Sequence, residues 1–194
     1  MKQLAFTVTG MSQLLISNPQ AVDPFNKFSK AMKQITGKKK KTEEDLLQLR
    51  ELEVMSKLYF NDEQGVYIPS TWVLNAIQDV SFSQAKIAKK RMRGGVFIEG
   101  MTLKLNYEGM NTVKEAMDIV KNERFIHTQP VKQGQVKIMK SYPAFSKWSF
   151  DCEFTFDPEI VDESTLKDLI NYACKYGGFG DFRPNYGRAK VEFK

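Results

Sequence analysis

Cysteine and histidine are nearly absent: two cysteines and one histidine in 194 residues. Each shortage removes a class of chemistry. Cys152 and Cys174, well apart in the chain, make neither a disulfide framework nor a cysteine metal motif, and both read as small apolar residues. With His127 alone, a paired-histidine acid–base mechanism is excluded and a zinc site would need other ligands. No run approaches the roughly 18 apolar residues that span a bilayer. Residues 1–6 lack the apolar core and small-residue cleavage site of a secretory signal. Neither the G-x-x-x-x-G-K-[ST] phosphate loop nor the G-x-S-x-G elbow occurs. The expectation is a soluble, cytoplasmic protein without cofactor, metal or membrane contact, and not an enzyme. A nuclease depending on His127 is the remaining catalytic alternative.

What the chain does have is an excess of positive charge. Twenty-nine Lys and Arg against 23 Asp and Glu give +6 and a pI of about 9.2, which fits a nucleic-acid partner and equally fits simple solubility. Apolar residues at 42% suffice for a real core, and the length suits one domain, 1–194.

Periodicity orders the elements. Leu4, Phe6 and Val8 alternate in an opening strand, 3–9. The segment 11–68 reads as a largely helical insertion. Within it, Thr42 caps a helix over 43–59 whose stripe is Leu46, Leu49, Leu52, Met55 and Tyr59. A further helix begins near Pro69-Ser70, carries Trp72, Val73, Ala76, Ile77 and Val80, and extends or restarts through 84–91. Strands follow at 96–99, 101–107, 125–131 and 135–140. Trp148, Phe150, Cys152, Phe154 and Phe156 then alternate cleanly, which buries one face of a strand. Asp162 or Ser164 caps a helix with Leu166, Leu169, Ile170 and Ala173 inward, ending at Gly177, and a last strand spans 187–193. This order gives an α+β, ferredoxin-like βαββαβ antiparallel sheet with a helical insertion, the region 134–194 supplying a C-terminal ββαβ part.

Two segments carry candidate chemistry. The loop 177–188 holds Gly178, Phe179, Gly180, Arg183, Tyr186, Gly187 and Arg188, with Lys190 just beyond. Because it follows the C-terminal end of a helix, the dipole there disfavours anions, so a phosphate grip must come from Arg183, Arg188, Lys190 and loop amides. Phe179, Phe182 or Tyr186 would stack on bases. The alternative is that the glycines turn the chain while Phe179 and Phe182 plug the core. In the second segment Lys86, Lys89, Lys90 and Arg93 share one helical stripe beside Arg91, matching a phosphate-tracking surface or a solvated helix end. Lysines 38–41 form a third basic tip.

The run Gly178-Phe179-Gly180-Asp181-Phe182-Arg183-Pro184-Asn185-Tyr186-Gly187-Arg188 resembles the glycine-rich loop of the RAMP superfamily, the ferredoxin-like RNA-binding proteins that include Cas7-type subunits. It also looks like the C-terminal end of bacteriophage proteins of this size. The resemblance implies an RNA-binding, Cas7-like protomer that assembles along a strand, with Gly178, Gly180, Gly187, Arg183 and Arg188 in the signature loop and 108–134 in the place of the thumb. The expected function is therefore non-catalytic binding of single-stranded nucleic acid, RNA rather than DNA, in a phage or mobile element, with a homo-oligomer or protein partner possible. The alternative is a phage structural or anti-defence protein acting through protein contacts.

Overall fold

A computed structural model describes residues 1–194, the side chain of Gln133 excepted. In chain order the first half contains β1 (Lys2–Gly10), β2 (Leu14–Leu15), α1 (Lys27–Thr36), α2 (Glu43–Lys57), β3 (Phe60–Asn61), β4 (Gly65–Pro69), α3 (Thr71–Ala85) and α4 (Lys89–Gly95). There follow β5 (Val96–Ile98), β6 (Thr102–Lys104), α5 (Ala116–Val120), β7 (Ile126–Gln133), β8 (Val136–Phe145), β9 (Ser149–Phe156), α6 (Glu163–Tyr172) and β10 (Ala189–Phe193). The chain forms two compact units: Met1–Leu14, Val66–Glu108 and Ser146–Lys194 in the first, Leu15–Gly65 and Gly109–Phe145 in the second.

The first unit is built on one sheet in the order β10-β1-β9-β5, with each neighbouring pair antiparallel. Helix α3 separates β1 from β5 and α6 separates β9 from β10, so these elements run βαββαβ with the first and third strands central. This is the ferredoxin-like fold predicted from the order of elements. The alternation read in the sequence decides the layers. Leu4, Phe6, Val8, Phe150, Cys152, Phe154 and Phe156 are buried, as are Val73, Ala76 and Ile77 of α3 and Leu166, Leu169 and Ile170 of α6. Phe6 and Phe154 meet edge to face at 5.1 Å. Each fully buried ring of this kind contributes about 1.5–3 kcal/mol. Gly10 ends β1 where a Cβ would lie 2.3 Å from the indole nitrogen of buried Trp148, so only glycine fits there. Both cysteines are free and buried, and burial raises each thiol to about 12. Strand β8 pairs with β7 and does not enter this sheet.

The second unit packs α2 against α1 and against β8, the long partner of β7. Thr42 caps α2 as the sequence predicts, in a reciprocal capping box with Asp45. The predicted stripe is corrected in part: Leu46 is 54% exposed and Leu49, Leu52, Met55 and Tyr59 are only half-buried, while the buried positions of α2 include Asp45, Glu53, Val54 and Lys57. The reason is long-range. Glu53 accepts hydrogen bonds from the Lys140 ammonium and, at 3.0 Å, from the Ser141 amide, while Lys57 donates to the Ser141 carbonyl at 2.6 Å and lies 3.5 Å from the Tyr142 ring centroid. Paired in this way, one turn of charged residues faces inward without leaving an uncompensated buried charge.

Candidate nucleic-acid interface

The loop between α6 and β10 is set by how its helix ends. α6 opens on Asp162, whose carboxylate accepts from the Thr165 amide at 3.0 Å and hydroxyl at 2.7 Å. It runs on into a wider π turn over Ala173–Gly177, closed by the Gly178 amide on the Ala173 carbonyl at 2.8 Å. The helix-ending glycine is thus Gly178, at φ 72°, one residue beyond the predicted Gly177.

From there the chain makes a loop pinched at its base. The Phe179 amide donates to the Gly187 carbonyl at 2.9 Å, and the Gly187 amide to the Gln13 carbonyl at 2.9 Å. A Cβ on Gly187 would lie 1.8 Å from the Phe179 carbonyl oxygen, and its φ is 73°. One on Gly178 would lie 3.0 Å from the Tyr186 carbonyl. These glycines allow two backbone strands to touch and need no ligand to explain them. The segment after β1 braces the same base: the Arg188 amide donates to the Ser12 hydroxyl at 3.0 Å, and the Met11 amide to the Arg188 carbonyl at 2.7 Å. Trp148 adds its indole N–H to the Ser12 carbonyl at 2.8 Å.

Phe179, expected as a stacking ring, is instead a core residue. It is 1% exposed and meets Phe150 at 5.6 Å and Trp148 at 6.2 Å, both edge to face. An enclosed ring presents no face to a base. Phe182 and Tyr186 stay half-buried at the loop tip, their centroids 6.5 Å apart, with Gly180 at φ 74° leading into it. Arg183 and Arg188 are exposed, and among the described residues neither guanidinium forms an ion pair. Lys190 is exposed too and lies 3.5 Å from Glu192.

The second basic segment departs from its predicted form. No single helix carries Lys86, Lys89, Lys90 and Arg93. α3 ends at Ala85, Lys86 turns the chain at φ 59°, and α4 starts anew at Lys89. The cations therefore open α4, at the end where the helix dipole opposes them. The fold compensates locally: Lys89 pairs with Asp79 at 2.7 Å, Arg91 donates to the Glu159 carbonyl at 3.2 Å, and Arg93 reaches Gln78 at 3.5 Å. Lys86 lies over the Phe82 ring at 5.6 Å, and Lys90 is exposed.

Asp79 links the two segments. It lines, with Tyr176, Phe182, Arg183 and Pro184, a groove of about 530 Å³ between α3 and the loop. The structure thus gathers Arg183 and the Lys89–Asp79 pair at one place, while Arg188 and Lys190 lead away along the start of β10.

The sheet face away from the helices has a different character. Register places Thr7 between Asp151 and Glu192, and Ala5 opposite Glu153. Asp151 accepts from Lys194 at 2.7 Å and from Thr7 at 2.6 Å, and these contacts hold its carboxyl below the usual carboxylate value. Of the three carboxylates on this face, Asp151 pairs with Lys194 and Glu192 with Lys190, which leaves no excess of positive charge for phosphate. The central strands β1 and β9 present no ring there, while Phe97 of the edge strand β5, 45% exposed, is placed on it by register. The candidate interface is the loop end of the unit, not the sheet.

No family model matches the chain, and no curated protein matches it. Among solved structures it is similar to a chain of the Type III-B Cmr-beta complex bound to cognate target RNA, at 9% identity and a TM-score of 0.54, covering 100% of this chain. The chain spans 60% of the length of that relative. A crystal structure of Cmr4 aligns over 100% of this chain and 99% of its own at 8% identity, with a TM-score of 0.46. What the chain shares with the first of these, at that identity, is the fold.

Sequence reasoning missed Asp79 and Tyr176, which line the groove beside Arg183. Asp79 is one charge among many on α3. Tyr176 lies in the π turn that continues α6, a helix whose inward residues alone stand out by period. His127 lies on β7 in the second unit, half-buried. Among the described residues no cluster of three His, Cys, Asp or Glu could hold a metal ion, and no helix is long and apolar enough to cross a membrane.

Proposed function

We propose that the protein binds single-stranded nucleic acid, RNA in preference to DNA, without cleaving it, through the pinched loop after α6. The observation that carries this reading is the pair Arg183 and Arg188. Both are exposed and held on a backbone fixed by the Phe179–Gly187 and Ser12–Arg188 hydrogen bonds. A loop whose backbone is already fixed spares the cost of ordering it when a phosphate arrives, and the planar guanidinium fork suits that partner. Lys190, Lys90 and Lys86 extend the positive surface. The glycines shape the loop, and the arginines do the binding. The RNA preference is supported by the fold's likeness to a chain of an RNA-bound complex. A cytoplasmic setting in a phage or other mobile element belongs to the same proposal.

The test is fluorescence anisotropy with labelled single-stranded RNA and DNA at 50 and 200 mM salt. With about four phosphates neutralised, affinity is expected to fall roughly 50-fold across that range, since each contact contributes about 0.7 to the salt slope. Absence of any shift with either strand at 50 mM salt contradicts the proposal and leaves the rival, contact with an acidic protein.

A further inference from the structure

The geometry points to a base-stacking platform formed by Tyr172 and Tyr176, which fixes single-stranded, base-bearing nucleic acid as the ligand. The inference rests on the proposed function and adds to it the part of the ligand that arginines do not read.

Tyrosine is on average a residue of intermediate burial. Here both rings are outside: Tyr172 is 36% and Tyr176 54% exposed. They stand four residues apart, Tyr172 closing α6 and Tyr176 in the π turn, with centroids 4.8 Å apart and planes at 46°. A base slipped between them needs about 7 Å, two contacts of ~3.5 Å. The pair therefore cannot sandwich a base, and it offers its outward faces instead. Lys175 lies 5.3 Å from the Tyr176 centroid, so a cation is already placed beside the ring where a nucleotide's phosphate would follow its base.

Tyr176 lines the Arg183 groove, and it also lines a second groove of about 520 Å³ with Met11, Tyr172, Lys175 and Lys190. The two grooves thus meet at Tyr176, with Arg183 in one and Lys175 and Lys190 in the other. The acids on this path are Asp79, bonded to Lys89, Asp181, which accepts from the Phe182 amide at 3.0 Å, and Asp168 in the second groove. Cations flanking exposed rings are the pattern by which single strands are held without sequence reading, each stacked base strengthening binding about 5- to 150-fold. A duplex, whose bases are already stacked, gains nothing from the rings.

The experiment uses the full chain and two labelled oligomers of equal length and charge, one oligouridine and one fully abasic. The wild type is expected to bind the oligouridine about 30-fold or more tighter than the abasic strand. Tyr172→Ala/Tyr176→Ala is expected to remove most of that preference with the salt slope unchanged, and Tyr172→Phe/Tyr176→Phe to restore it. A double alanine variant that keeps the wild-type preference overturns the platform while leaving the proposed function standing. A double variant that loses self-association but keeps its base preference makes this face a protein contact, which also overturns it. Failure of the wild type to bind either oligomer at 50 mM salt overturns both readings together.

Discussion

The segments 86–93 and 183–190 look alike in the sequence, each a short basic run beside glycine, yet the fold uses them in different ways. In the first, Lys89, Arg91 and Arg93 are tied to Asp79, the Glu159 carbonyl and Gln78, and so hold α4 against its neighbours. In the second, the backbone makes the ties and the guanidinium groups are left in solvent. Density of charge along the chain is therefore a poor measure of charge available to a partner. A basic run offers its cations to a ligand only when something else holds its backbone.

The largest expected effects lie at the base of the loop. Phe179→Ala removes a fully buried ring from between Trp148 and Phe150 and is expected to cost about 3–5 kcal/mol in chemical denaturation. Gly187→Ala meets the Phe179 carbonyl at a positive φ and is expected to cost about 3 kcal/mol or more. A thermal melt unchanged by either would mean that the pinch does not exist. Gly94 makes the contrast: it lies inside α4 with open space where a methyl group would point, so Gly94→Ala is expected to stabilise by about 0.5–1 kcal/mol.

Binding separates the segments next. Arg183→Ala/Arg188→Ala is expected to weaken single-strand binding at least about 10-fold at 100 mM salt by removing two phosphate contacts. Lys89→Ala/Arg93→Ala, which deletes the same charge, is expected to change affinity less than about 3-fold, because those cations already have partners. Its effect on stability is also expected to be small, up to about 1 kcal/mol for the exposed Lys89–Asp79 pair. Equal losses in the two double variants would erase the distinction.

The gentlest prediction concerns acid. Asp151, beside Lys194 and Thr7, and Asp162, bonded by Thr165, are both held below their ordinary value. A lowered carboxyl binds its proton less readily in the folded chain than in the unfolded one. The stability it contributes is present at neutral pH and is lost as pH falls from about 4 through the folded value. Asp151→Asn should flatten that acid limb in a pH series of melts.

Much of the fold could be read from local pattern. The alternation from Trp148 to Phe156 and the stripe Leu166, Leu169, Ile170 named the layers, and element order named the topology. What could not be read depends on contacts across long separations. Glu53 and Lys57 face inward because Lys140 and Ser141 meet them more than 80 residues on, and no helical period reveals that. Phe179 is core because Trp148 and Phe150 close over it. The break at Lys86 is a single residue at positive φ within a sequence that continues a helical pattern. At the candidate site Arg183 and Arg188 were legible by type and position, whereas Tyr172 and Tyr176 were hidden by the apolar face of their own helix.

On the proposed function, Arg183 and Arg188 are the cations available to a polyanion, and Lys89 and Arg93 are not. The most direct measurement is the salt slope of single-stranded RNA binding for the wild type and the two charge-matched double variants, from 50 to 200 mM. The slope is expected to fall by about 1.4 for Arg183→Ala/Arg188→Ala, two contacts of ~0.7 each, and to stay unchanged for Lys89→Ala/Arg93→Ala. An unchanged slope in the arginine variant, or the same drop in both, would contradict that reading.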